Sequence, residues 1–164
     1  MKKAITHSFY DICQWINEWS MGLLLVSCSS REMCARLLEF IGSSKKRAVF
    51  LSREAFIQLL MEKLIKKENE KFDLLFQYDF VCISDLDAIT GRTQTEIEMA
   101  QTLTELSKER VVIVTGIDLR NKLPTMISDL ELYDTLQWDR ETEKWSVEPC
   151  PSINMQNSLK KLLF

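Results

Sequence analysis

Residues 48–91 read AVFLSREAFIQLLMEKLIKKENEKFDLLFQYDFVCISDLDAITG, and this stretch decides the fold. It opens on AVFL (48–51) and reaches FVCI (80–83), two short runs that are continuously apolar and do not alternate. Continuous runs mark strands buried on both faces, as in a parallel sheet. Between them Ile57, Leu60, Met61, Leu64 and Ile65 recur at helical spacing, which predicts a helix with that stripe in the core. Strand, helix, strand is the repeating unit of an α/β protein.

The same alternation extends both ways. LLLV (23–26) and VVIV (111–114) are further continuous runs. Phe9, Ile12, Cys13 and Ile16 form a helical stripe before the first, Cys34, Leu37, Leu38 and Ile41 one after it, and Met99, Leu103 and Leu106 one before the last. Met61 and Met99 are expected as core filler. Ser29 with Glu32, and Thr93 with Glu96, fit capping boxes that would start two of these helices. Pro124 marks a loop, and residues 135–147, where Trp138 and Trp145 flank a charged segment, predict a final strand or a hairpin. The expected class is α/β, a three-layer αβα sandwich with a central, mainly parallel five-stranded sheet. Residues 1–150 read as one domain and 151–164 as a tail, either a short helix or disordered.

Composition narrows the chemistry. The chain has 164 residues, 46% of them hydrophobic, and a net charge of −3, which fits one ordinary soluble domain with no global pull toward nucleic acid or membrane. The closest pair among its four glycines, Gly22 and Gly42, is 20 residues apart, so no glycine-rich phosphate loop can be written. One histidine, His7, leaves no His-rich metal site. Five cysteines (13, 28, 34, 82, 150) form no CxxC pair and read as reduced, partly buried thiols. No apolar run approaches membrane-spanning length and no signal-peptide core is present, so the expected location is the cytoplasm. Charge is uneven. Residues 43–71 hold eight basic and four acidic side chains, net +4, and residues 79–105 hold six acids and one base, net −5.

Residues 23–138 resemble the AAA+ domain of the DnaA family of bacterial replication initiators, including their short relative Hda. The opening stretch is similar to the family's second strand, the following helix, its helical insertion and then Walker B, at FVCISDLDAITG (80–91). RTQTEIEMAQTLTELSKERVVIVTG (92–116) resembles the next helix and the sensor-1 strand, whose polar position falls within 116–118. KLPTMISDLELYDTLQW (122–138) resembles the family segment that carries the arginine finger. The resemblance covers about two thirds of the chain and implies a P-loop sheet of strand order 5-1-4-3-2.

Its departures carry the functional expectation. Where the family has its Walker A loop, this chain has SCSSREMCARLL (27–38). Here Ser27, Cys28, Ser29, Ser30, Arg31, Glu32 and Met33 supply no glycine and no lysine. Glycines let backbone N–H groups wrap a phosphate and the lysine balances its charge. Glu32 would oppose that charge. At Walker B the metal-holding aspartate aligns with Ser84, leaving Asp85, and the pair Asp85 and Asp87 is expected as solvated acids at a strand end. The arginine-finger stretch reads DLELYD (129–134) and has no arginine. Too little chain follows Trp138 for the family's helical lid. Together these imply no enzyme activity, no catalytic residue, no cofactor and no metal.

The expected function is a non-catalytic, DnaA-like protein-interaction or regulatory module in replication initiation. Its partner would be an initiator, a helicase loader or a second copy of the chain, without membrane contact. The alternative is a single-stranded nucleic-acid module using Lys63, Lys66, Lys67 and Lys71, with Phe72 and Phe76 beside them.

Overall fold

The computed structural model describes residues 5–88 and 93–148. In chain order these form β1 (Ile5–His7), α1 (Phe9–Asn17), β2 (Gly22–Ser27), α2 (Arg31–Ser43), β3 (Ala48–Ser52), α3 (Arg53–Leu64) and α4 (Glu70–Asp73). There follow β4 (Phe80–Ser84), α5 (Thr93–Ser107), β5 (Val111–Gly116), α6 (Leu119–Lys122), α7 (Pro124–Asp129), β6 (Asp134–Asp139) and β7 (Lys144–Glu148), with 3-10 turns at Leu74–Gln77 and Leu86–Ala88.

The sheet runs β1-β7-β6-β2-β5-β4-β3. Its five-strand block β6-β2-β5-β4-β3 is parallel throughout, with Leu24 beside Ile113 and Cys82 beside Ile113 in the register. Counted from the LLLV strand, that is the expected order 5-1-4-3-2. The expected strand number needs correction: among the described residues the sheet has seven strands, because β7 folds back antiparallel on β6 and β1 pairs antiparallel with β7. Trp138 and Trp145 are directly opposed in that hairpin. A strand as short as β1 carries too little pattern to be recognised. The proposed tail at 151–164 lies outside the described residues.

Alternate residues of the continuous runs feed two cores. Leu23, Leu25, Val81, Ile83, Val112 and Val114 face a layer that includes Phe56 and Leu60 of α3, Met99, Leu103 and Leu106 of α5, and Met126 of α7. Leu24, Val26, Phe80, Cys82, Val111 and Ile113 face Ile12, Trp15 and Ile16 of α1 and Leu37 and Ile41 of α2. This makes the three layers. It also corrects the α3 stripe: Phe56 and Leu60 are buried, while Met61 is 49% and Ile65 71% exposed. Ile65 lies beyond the end of α3, and the helix has apolar residues on more than one side, so periodicity alone could not choose the inner face.

β2 starts where it does because Gly22 has φ +129°, a backbone angle that L side chains rarely adopt, and the Trp19 ring lies 3.1 Å from where a Cβ would stand. The preceding helix end is held by Lys46, whose Nζ donates to the carbonyls of Asn17 (2.6 Å) and Trp19 (2.9 Å). A cation on the last carbonyls of a helix satisfies them and opposes the negative end of its dipole.

Candidate functional site

The carboxyl ends of β2, β4 and β5 meet at Ser27, Ser84 and Gly116, the place where open α/β sheets bind ligands. Only Cys28, Ser29 and Ser30 separate β2 from α2. The Cys28 N–H donates to the Gly116 carbonyl at 3.0 Å, which ties the turn to β5. The Cys28 thiol lies 3.2 Å from the Ser30 carbonyl. Ser30 caps α2: its Oγ accepts the Met33 N–H at 3.2 Å, and its carbonyl accepts the Cys34 N–H at 3.0 Å.

This replaces the expected Ser29–Glu32 capping box. With Ser30 as the cap, Glu32 stands one position too early to reach back, and both Ser29 and Glu32 are exposed. Arg31 is also exposed, whereas Met33 is half-buried against α1 and the sheet. The second expected box fails as well. Thr93 is the first residue of α5, and Glu96 is turned inward, 5% exposed. Its Oε1 accepts the N–H groups of Thr125 (3.1 Å) and Met126 (3.2 Å), capping α7 from a neighbouring helix.

Three thiols gather below the turn. Burial pushes the Cys28 thiol up, against hydrogen bonds from the backbone of Ser30 and Cys34. Burial also raises Cys34, against a hydrogen bond from Thr115, with Cys28 and Asp85 adding to the rise. Cys82 is pushed up to about 12, chiefly by burial. These are protonated, poorly nucleophilic thiols. Among the described residues no group of three or more His, Cys, Asp or Glu side chains could hold a metal ion.

Ser84 ends β4, beside Ser52 of β3. Asp85 is exposed, with a left-handed φ of 55°, and its N–H reaches Thr115 Oγ1 at 3.4 Å. Asp87 departs from the expected solvated pair. It is half-buried, its Oδ2 accepts the Asp118 N–H at 2.5 Å, and its carboxyl carbon lies 2.8 Å from where a Cβ on Gly116 would stand. The structural roles of Asp87 and Glu96 were hidden in the sequence because their partners are 29 to 31 residues away. Residues 129–134 close α7 and enter β6, with Leu130, Tyr133 and Asp134 buried and Glu131 and Leu132 exposed.

The four lysines differ in their partners. Lys63 pairs with Glu105 and places its ammonium 3.9 Å from the centre of the Phe72 ring. Lys71 pairs with Glu62 at 3.4 Å, and a hydrogen bond from Gln58, then Lys71 and Lys66, hold the Glu62 carboxyl below its ordinary range. Lys66 and Lys67 are exposed, Lys67 with φ 56°. Phe72 is 2% exposed and meets half-buried Phe76 edge-on at 5.8 Å, so its ring belongs to the core.

No family model and no curated protein matches this sequence. Solved structures do. Domain III of the Thermotoga maritima replication initiation protein DnaA superposes with a TM-score of 0.56 at 14% identity, over 82% of this chain and 63% of that one. AMPPCP-bound DnaA from Aquifex aeolicus gives 0.55 at 16% identity, over 81% of this chain and 46% of that one. The fold is a DnaA-like AAA+ fold. A third structure, described as a DNA replication initiation factor, gives 0.52 at 13% identity with the same coverages of 81% and 46%. The chain thus spans about half the length of two of these DnaA-like structures and under two thirds of the other. No described helix is long and apolar enough to cross a membrane.

Proposed function

We propose that this DnaA-like AAA+ domain works by protein contact in replication initiation and neither holds nor hydrolyses ATP in the turn between β2 and α2. The observation that carries this reading is the turn itself. A phosphate loop of the GxxxxGK[ST] type wraps its ligand with free backbone N–H groups over about six residues. Here three residues connect strand to helix, and the N–H groups of Cys28, Met33 and Cys34 already have protein acceptors. No lysine stands in the turn, and Glu32 occupies the first turn of α2. Ser84 replaces a carboxylate that would hold Mg²⁺. These residues do not fit a magnesium nucleotide. The replication context rests on likeness of fold, which is analogy; an initiator or a helicase loader is the partner class it suggests.

Isothermal titration of Mg-ATP and Mg-ADP into the chain, with a phosphate-release assay, tests the reading. No heat of binding and no phosphate release are expected. Micromolar binding that requires Mg²⁺ would overturn it.

A second reading, single-stranded nucleic-acid binding, keeps Lys66, Lys67 and Lys71 as exposed cations, the last paired with Glu62. The exposed acids Glu68, Glu70 and Asp73 lie on the same segment. A labelled oligonucleotide at low salt tests it: binding lost in the Lys66→Glu, Lys67→Glu variant would favour this reading.

A further inference from the structure

β3 ends the sheet, and among the described residues it pairs only with β4. Its backbone orientation is fixed at Arg47. The Arg47 carbonyl accepts the Phe80 N–H at 3.0 Å, and its N–H donates to Asp79 Oδ2 at 2.9 Å, so Arg47 faces β4. Successive residues of a strand turn their N–H and C=O to opposite sides, so Val49 and Leu51 face β4 while Ala48 and Phe50 face outward. An edge of this kind is a template for another strand. Natural edges are commonly blunted by proline, a bulge or an inward charge. β3 reads AVFLS, and its register runs unbroken from Ala48 beside Phe80 to Ser52 beside Ser84.

The side chains beside this edge have a definite chemistry. Phe50 is 46% exposed, and its ring rests on α2 so closely that a Cβ on Gly42 would meet it at 3.3 Å. Lys45 and Arg47 stand exposed at the amino end of β3, the Arg47 guanidinium stacked 5.3 Å from the centre of the Tyr78 ring. Lys46, by contrast, is spent on the end of α1.

We propose that the β3 edge docks an extended segment of a partner protein, apolar where it passes Phe50 and acidic where it passes Lys45 and Arg47. The segment would add as a further strand, with main-chain hydrogen bonds to Ala48 and Phe50 giving affinity and the cations selecting acidic sequences. A second copy is the competing occupant, and amide exchange in the dilute free chain distinguishes it. The proposal gives the protein-contact role above a surface and rests on it. Nucleotide titration tests the turn in that reading and peptide binding tests this edge, so either can fail alone.

The probe is a fluorescein-labelled Val/Thr peptide headed by two glutamates, compared with the same peptide headed by two lysines, titrated into the full chain by anisotropy. Amide exchange of the free and peptide-bound chain is read in parallel. The acidic peptide is expected to bind the better, and to slow exchange at Ala48 and Phe50 while Val49 and Leu51 stay slow throughout. Ala48→Pro removes only an outward N–H and should weaken binding about tenfold at an unchanged urea midpoint. Should that variant unfold, Arg47→Glu keeps the test open, because it should erase the preference for the acidic peptide. Equal binding of both peptides, or no binding of either, would overturn the proposal. So would slow exchange at Ala48 and Phe50 in the dilute free chain, which would mean that residues 149–164 or a second copy already cover the edge.

Discussion

A Cβ on Gly116 would stand 2.8 Å from the carboxyl carbon of Asp87, which is packed over the end of β5 while it takes the Asp118 N–H. The same Gly116 carbonyl holds the Cys28 N–H, so one glycine joins the turn after β2 to the turn after β4.

Gly116→Ala is therefore expected to destabilise the chain by about 1–3 kcal/mol through overpacking. Asp87→Ala also destabilises, because it leaves the Asp118 N–H without that acceptor. In the Asp87→Ala background the Gly116→Ala cost should shrink, a non-additivity expected of residues in contact. Leu119 Cδ2, also at 2.8 Å, keeps the cost above zero. Urea unfolding of the four members of the cycle measures the coupling.

Glu96 is a second point of stability. Glu96→Ala leaves the Thr125 and Met126 N–H groups without their acceptor, at a cost of about 1–3 kcal/mol. Glu96→Gln keeps an acceptor oxygen and should lose less. Amide exchange should show the Ala variant opening first at Thr125 and Met126.

The lysines divide into two kinds. Lys63→Ala removes the Glu105 pair and the contact with Phe72 and should cost about 0.5–1 kcal/mol. Lys66→Ala should change stability little, since the side chain is exposed. Lys67→Gly should stabilise by about 0.5–1 kcal/mol, because glycine adopts the left-handed φ without strain. Chemical denaturation of the three variants separates them.

Much of this fold was legible. The runs 23–26, 48–51, 80–83 and 111–114 are strands because a strand covered on both faces can be apolar at every position. Trp138 and Trp145 fell in a hairpin as the pattern allowed. The strand order came from the family resemblance, and the observed block β6-β2-β5-β4-β3 agrees with it. What stayed hidden were choices between near-equivalents. Ser29 and Ser30 are adjacent serines, and only the position of the first helical residue makes Ser30 the cap. Met61 fits the same helical stripe as buried Leu60, yet it faces outward. Asp87 and Glu96 bind backbone groups brought to them by tertiary folding, which no local pattern encodes.

The buried thiols predict a pH response. Cys13 is raised from 9.0 to about 11 and Cys82 to about 12, both chiefly by burial. A thiol raised in the folded state keeps its proton there while the unfolded chain loses it. Its contribution is complete below pH 9.0 and declines as the pH climbs toward the folded values. Urea midpoints should therefore fall between about pH 9 and pH 11. Replacing Cys82 by Ala should flatten that fall, and a midpoint that rises across the range would contradict the assignment.

Calorimetric titration with Mg-ATP decides whether the turn from β2 to α2 holds a nucleotide. No binding heat is expected up to millimolar nucleotide, and none in a Glu32→Lys variant, because the occupied N–H groups and the three-residue turn remain. Saturable micromolar binding by the unmodified chain, abolished by EDTA, would contradict it.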